Sequence, residues 1–246
     1  MNYRRMGNSS IELSVIGMGC WAYGGGQYWG QQAQSDVNEV VKAAIDQGIN
    51  YFDTAEMYNA GASEESVGIA LKEYRDKVII GTKISPSNCT PALIREHLNA
   101  SLKRLQTDYV DIYMLHWPIE PHSIEHFTQQ KDVINNPPSV EQAFETLQAL
   151  QSEGKIRYIG VSNHGVAQMR EILDTKAVLA VNEMPYNLFC RAIETDIIPF
   201  NQQNGIGIIG YMALLQGILA GIYSKPEDVP PPQAHSRHFK QERGGT

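Results

Sequence analysis

Short apolar runs rich in β-branched residues alternate along this chain with longer segments whose apolar positions recur at helical spacing. Short runs bounded by turn residues predict strands, and the longer periodic segments predict amphipathic helices. Tyr3 to Ser14 reads as a small hairpin turned at Gly7-Asn8-Ser9-Ser10, and Val15 to Gly19 as a first strand. A Gly- and aromatic-rich loop, Trp21 to Gly30, leads to a helix from Asp36 to Gln47, with Ser35 as its N-cap and Gly48 at its end. From there strand and helix repeat. Strands are expected at Ile49–Phe52, Val78–Thr82, Tyr109–Leu115, Ile156–Val161, up to Ala180-Val181, and at Ile206–Gly210. Helices are expected from Ser63 to about Tyr74, from Thr90-Pro91 to Leu105, from Ser139 to Glu153, from about Val166 to Leu173, and from about Ile193 to Gln203.

No two-residue hairpin joins these strands, and each helix has the length of a crossover. That pattern predicts parallel strands with helices outside. The fold class is α/β, a (β/α)8 TIM barrel with an N-terminal β-hairpin, in preference to a doubly wound sheet. About seven βα units are readable. After Tyr211 the chain runs through Pro226 and Pro230-Pro231-Pro232 into a polar tail ending at Thr246. A barrel one unit short has open edges. The expectation is a single barrel domain over residues 1–246, C-terminally incomplete and truncated before the eighth unit.

Composition narrows the function classes. The chain has 246 residues and a formal net charge of -7, which opposes a nucleic-acid partner because that calls for a basic face. No apolar run of ~18 residues is present to span a membrane, and no apolar segment follows Arg4-Arg5 to make a signal peptide. Cys20, Cys89 and Cys190 are far apart and odd in number, which predicts reduced thiols and a cytoplasmic protein. The oligomeric state is not readable from the sequence.

Catalytic residues of such barrels project from the C-terminal ends of the strands. The polar residues there are Asp53, Lys83, His116, Ser162-Asn163, Asn182-Glu183 and Tyr211, with Tyr58 just beyond Asp53. One polar strand end means little; six in succession carrying acid, base, imidazole, amide or phenol predict a convergent site.

Phe52-Asp53-Thr54-Ala55-Glu56-Met57-Tyr58, Thr82-Lys83, Leu115-His116 and Gly160-Val161-Ser162-Asn163 resemble the aldo-keto reductases, collinearly from about Arg5 to Tyr223. The Trp21–Gly30 loop is similar to bacterial members near the potassium-channel β-subunit branch. The resemblance implies reduction of a small aldehyde or ketone by hydride from NADPH, with NADH possible. Tyr58 would give the proton that the developing alkoxide needs. A free phenol has a pKa of about 10, so Lys83 is expected to lower it. Asp53 would hold Lys83, and His116 would hydrogen-bond the substrate oxygen. For the cofactor, the resemblance implies Ser162 and Asn163 on the nicotinamide carboxamide and Tyr211 stacked on its ring. Met212, Leu214 and Gln216 would be nearby. Glu183 stands where the family often has Gln; an ionised carboxylate accepts but cannot donate. Trp21, Tyr28, Trp29 and Trp117 are the expected apolar substrate wall.

Competing readings are weaker. Gly17-x-Gly19-x-x-Ala22 fits a dinucleotide fingerprint by letters, but no helix opens directly behind it. His116, His122 and His126 have no acid or cysteine to complete a metal set, so no metal is assigned. Glu64-Glu65 reads as a solvated helix face. A cofactor-sensing interaction protein with the same barrel is the alternative to an enzyme.

Overall fold

The computed structural model describes residues 1–229. The polar tail beyond them, and with it the expectation of where the barrel ends, lies outside the described residues. An antiparallel hairpin comes first, β1 (Tyr3–Arg5) and β2 (Glu12–Ser14), with Tyr3 opposite Ser14. Seven parallel strands follow in sequence order: β3 (Met18–Gly19), β4 (Tyr51–Asp53), β5 (Ile79–Ile84), β6 (Val110–Leu115), β7 (Ile156–Ser162), β8 (Leu179–Pro185) and β9 (Gly207–Tyr211). The helices are α1 (Gly26–Trp29), α2 (Gln34–Asp46), α3 (Ala62–Leu71), α4 (Pro91–Leu105), α5 (Pro121–Ile124), α6 (Lys131–Asn135), α7 (Val140–Ser152), α8 (Val166–Asp174) and α9 (Ile197–Gln203). The result is a nearly closed (β/α)8-type barrel. Among the described residues β3 and β9 are its two edges. No helix among these residues is long and apolar enough to cross a membrane.

Two apolar layers hold it. The larger lies between the sheet and the outer helices, with Phe52, Ile80, Tyr113 and Phe144 fully buried. The smaller fills the barrel: Met6, Ile11 and Leu13 of the hairpin region plug it from below, against Tyr51, Ile112, Met114 and Val181. Strand alternation decides which side chains stand above that plug. Tyr51 and Asp53 share one face of β4, and Asp53 lies opposite Gly81 of β5, two residues before Lys83. Gly81 is required because the Tyr51 ring crosses it: a Cβ there would meet the Tyr51 hydroxyl at 2.6 Å.

Several sequence expectations need correction. The first strand keeps only Met18–Gly19; Val15 and Ile16 are exposed at the sheet edge, where no described strand covers them. Ser35 lies inside α2, whose N-cap is Ala33. Ser63 lies inside α3 behind a left-handed Gly61, and its hydroxyl is used on Thr54 and on the Cys20 carbonyl. Glu64 is buried, because Thr82 donates to it and Arg104 pairs with it from α4. The helix expected over 193–203 splits into a short 3-10 turn and α9. Pro199 lacks an N–H and fits only in a first turn, so the α-helix starts at Ile197. The helices expected to open at Thr90 and Ser139 do so, with these two residues as N-caps accepting from the Leu93 and Gln142 amides.

Candidate active site

At the end of β5, Lys83 has no exposed surface. A buried ammonium must be compensated. Its Nζ lies 2.6 Å from each Asp53 oxygen, 3.0 Å from the Thr54 carbonyl, 3.3 Å from the Tyr58 hydroxyl and 3.5 Å from Glu183 Oε1. Burial alone depresses such a group; the charge of Asp53, then of Glu183, outweighs it and holds the ammonium well above its ordinary value. Tyr51 donates to Asp53 Oδ1 from below at 3.2 Å.

Tyr58 is half-buried, on the loop behind β4. Its backbone turn is closed by its amide on the Ala55 carbonyl and by Ser63 N on its own carbonyl. The phenol departs from the sequence expectation. Burial pushes it above its ordinary value, Lys83 pulls it down, and Asp53 and Glu183 push it up again. The net direction is upward, because burial, the largest contribution, together with the two carboxyl groups outweighs the single ammonium. The phenol is therefore a held proton beside a cation, in the form a proton donor needs.

His116, buried at the end of β6, sets its ring edge-on to Tyr58 at 5.6 Å between centroids. Phe127 lies 5.7 Å from the same imidazole. Trp21 lies 6.0 Å from the Tyr58 ring and meets Trp29 edge-on at 5.3 Å. The expected loop over 21–30 is folded into a 3-10 turn and α1, which fixes these two indoles at the mouth. The Tyr28 side chain is outside the described residues. Trp117 packs edge-on against His126, which in turn meets His122. Phe127, between α5 and α6, reaches the His116 ring.

The other strand ends are tied together. Asn163, in left-handed conformation at φ 64°, donates to the His116 carbonyl and to Ser162 Oγ, and accepts from Tyr211 at 2.8 Å. Ser162 donates to the Glu183 carbonyl. Both amide hydrogens of Asn163 are thus used within the protein, and its Oδ1 keeps acceptor capacity. Asn182 turns away, donating to the His164 carbonyl. Glu183 is 4 % exposed, its Oε2 buried without a hydrogen-bond partner among the described residues. Burial, then the charge of Asp53, push its carboxyl up to about 8 against the pull of Lys83. Between β3 and β9 runs a cavity of about 1050 Å³, lined by Trp29, Asp53, Glu183, Tyr211, Met212 and Leu214 among others. The Gln216 side chain is outside the described residues. Tyr51 and Phe127 went unread in the sequence. Tyr51 is one apolar position within a short strand, and Phe127 lies between two short helices in a stretch without periodicity.

The chain and barrel that carry this acid, ammonium, phenol and imidazole have known relatives. The model of the aldo/keto reductase family matches residues 15–243, and the chain belongs to that family. It is 38% identical over 233 residues to the aldo-keto reductase YhdN of Bacillus subtilis, covering 90% of this chain and 64% of that protein. It is 34% identical over 240 residues to the NADH-specific methylglyoxal reductase of Escherichia coli, covering 89% of this chain and 69% of that one. The crystal structure of an aldo/keto reductase from Klebsiella pneumoniae in complex with NADP and acetate superposes with a TM-score of 0.72 at 32% identity, covering 88% of this chain and 70% of that one. The chain thus spans about two thirds of the length of these relatives.

Proposed function

We propose that this chain reduces an aldehyde or ketone to the alcohol with NAD(P)H. The observation that carries the reading is the Lys83 ammonium, held by Asp53 and set 3.3 Å from the Tyr58 hydroxyl. A cofactor with a primary amide fits the cavity: Glu183 Oε2 is unpartnered, and Asn163 Oδ1 can accept beside the Tyr211 ring. Tyr211 would hold the nicotinamide ring, with Met212 and Leu214 beside it, and Ser162 holds the Glu183 backbone carbonyl next to it. The bound dihydronicotinamide supplies hydride.

The chain's own residues do the rest. His116 donates to the carbonyl oxygen and orients it. Tyr58 transfers its proton to that oxygen as charge develops there. Lys83 stabilises the phenolate that remains, and Asp53 keeps Lys83 in place. Trp21, Trp29 and Phe127 form an apolar wall for a small carbonyl compound. The relatives include an NADH-specific reductase and an NADP-bound structure. NADPH is the first coenzyme to test and NADH the second.

The test is oxidation of NADPH or NADH by a panel of aldehydes and ketones, methylglyoxal included, followed by loss of dihydronicotinamide absorbance. Turnover with one coenzyme and formation of the alcohol are expected. Tight coenzyme binding with no turnover on any carbonyl would favour a cofactor-sensing protein instead.

A further inference from the structure

Lys83 is compensated by more negative charge than one ammonium needs. Asp53 approaches it from β4 and Glu183 from β8, on the opposite side of the barrel mouth. Glu183 is buried and faces the Asp53 carboxyl as well as Lys83, and its Oε2 is buried without a hydrogen-bond partner among the described residues. The titratable groups facing it are Asp53 and Tyr51 from β4, Lys83 from β5 and Tyr58 from the loop above. The flanking strands present Ser162 and Ile209 in register and add no charge.

We infer that Glu183 is a positioning residue for the Tyr58 proton: it shares Lys83 with Asp53, and by holding or losing its own proton it sets how strongly Lys83 can draw the phenol toward ionisation. This rests on the carbonyl-reduction reading above. With Glu183 neutral, Lys83 answers one carboxylate and has charge to spare for the phenolate. With Glu183 ionised, the same ammonium answers two carboxylates, and the phenolate is disfavoured. In the reaction the carbonyl carbon gains hydride from the dihydronicotinamide. The carbonyl oxygen gains the Tyr58 proton, and Tyr58 stays as phenolate beside Lys83 until solvent returns a proton. Ionising Glu183 raises the energy of that phenolate state and slows reduction. Burial and Asp53 raise Glu183 to about 8.

The experiment compares the protein with its Glu183→Gln variant, which keeps shape and cannot ionise. In the unaltered protein the single-turnover reduction rate is expected to fall about tenfold between pH 7 and 9, one pKa unit of phenol being a factor of ten. In Glu183→Gln that limb is absent when the single turnover is started at saturating coenzyme, whatever the change in coenzyme affinity. A merely structural Glu183 would shift melting temperature and affinity and leave the pH limb in place, which overturns the proposal. A second readout needs no turnover. A carboxylic-acid carbonyl band in the infrared difference spectrum should titrate near pH 8 and vanish in Glu183→Gln. If it titrates in the ordinary carboxylate range instead, the Glu183 claim fails even where carbonyls are reduced. If the band behaves as expected and no carbonyl is reduced, the functional reading fails and the buried acid stands.

Discussion

A buried ammonium survives only where its charge is answered, and Lys83 is answered by Asp53, by the Thr54 carbonyl and by Glu183. Removing one partner of such a cluster leaves unpaired buried charge, worth about 3–5 kcal/mol. Lys83→Met is therefore expected to lower unfolding free energy by about that amount in urea titrations, and to slow carbonyl reduction by about 10²–10⁴-fold. A variant as stable as the parent would show that the ammonium is dispensable to the fold. Glu183 has a linked consequence. Its folded-state value is raised above the unfolded one, so its contribution is fully present below the unfolded value and is lost as pH rises through about 8. At this scale Asp53, Tyr58, Lys83 and His116 were readable because each ends or follows a strand, where barrel chemistry is placed. Tyr51 was not, since its hydroxyl reaches Asp53 only because Gly81 across the strand pair has no side chain. The direction of the Tyr58 shift was also hidden. It depends first on the burial of the phenol and then on the Asp53 and Glu183 carboxyls meeting across the barrel, neither of which spacing along the chain encodes.

Helices and strands were located by periodicity, but their ends followed tertiary contacts. Ser35 and Ser63 have the chemistry of caps, yet both sit one position inside their helices. Ser63 is drawn in because its hydroxyl satisfies the Cys20 carbonyl beneath the Trp21 turn. The α3–α4 contact is similarly set by packing. A Cβ on Gly68 would meet the Arg104 carbonyl at 2.4 Å and the Leu105 backbone at 2.7 Å, none of it able to swing aside. The same crossing brings Arg104 to the buried Glu64. Gly68→Ala gains helix propensity but overpacks this crossing. The expected net result is a loss of about 1–3 kcal/mol, seen as a lower urea midpoint at unchanged slope. A stabilised variant would mean the two helices can separate at no cost. The α3 sequence could not disclose this, because a helical glycine reads equally as a weak point or as a contact.

The barrel as a whole is what turns six scattered polar residues into one site. Parallel order β3 to β9 aligns every C-terminal strand end on one rim, and the hairpin plug beneath leaves only the upper layer for polar groups. This architecture was readable from alternation alone, since strands without hairpin turns must be parallel. The opening between β3 and β9 follows from the same reading, as the open edges of a barrel one unit short, whereas the contribution of Arg4 to Ser14 to its wall does not. The account rests on Tyr58 as the group that delivers the proton. The direct measurement is stopped-flow single-turnover reduction of an aldehyde, by NADPH or whichever coenzyme binds, in the parent and in Tyr58→Phe. Coenzyme affinity is titrated in both by fluorescence. The expected result is a rate lowered by at least about 10²-fold with affinity retained. A Tyr58→Phe protein that reduces the aldehyde at the parent rate would contradict the assignment.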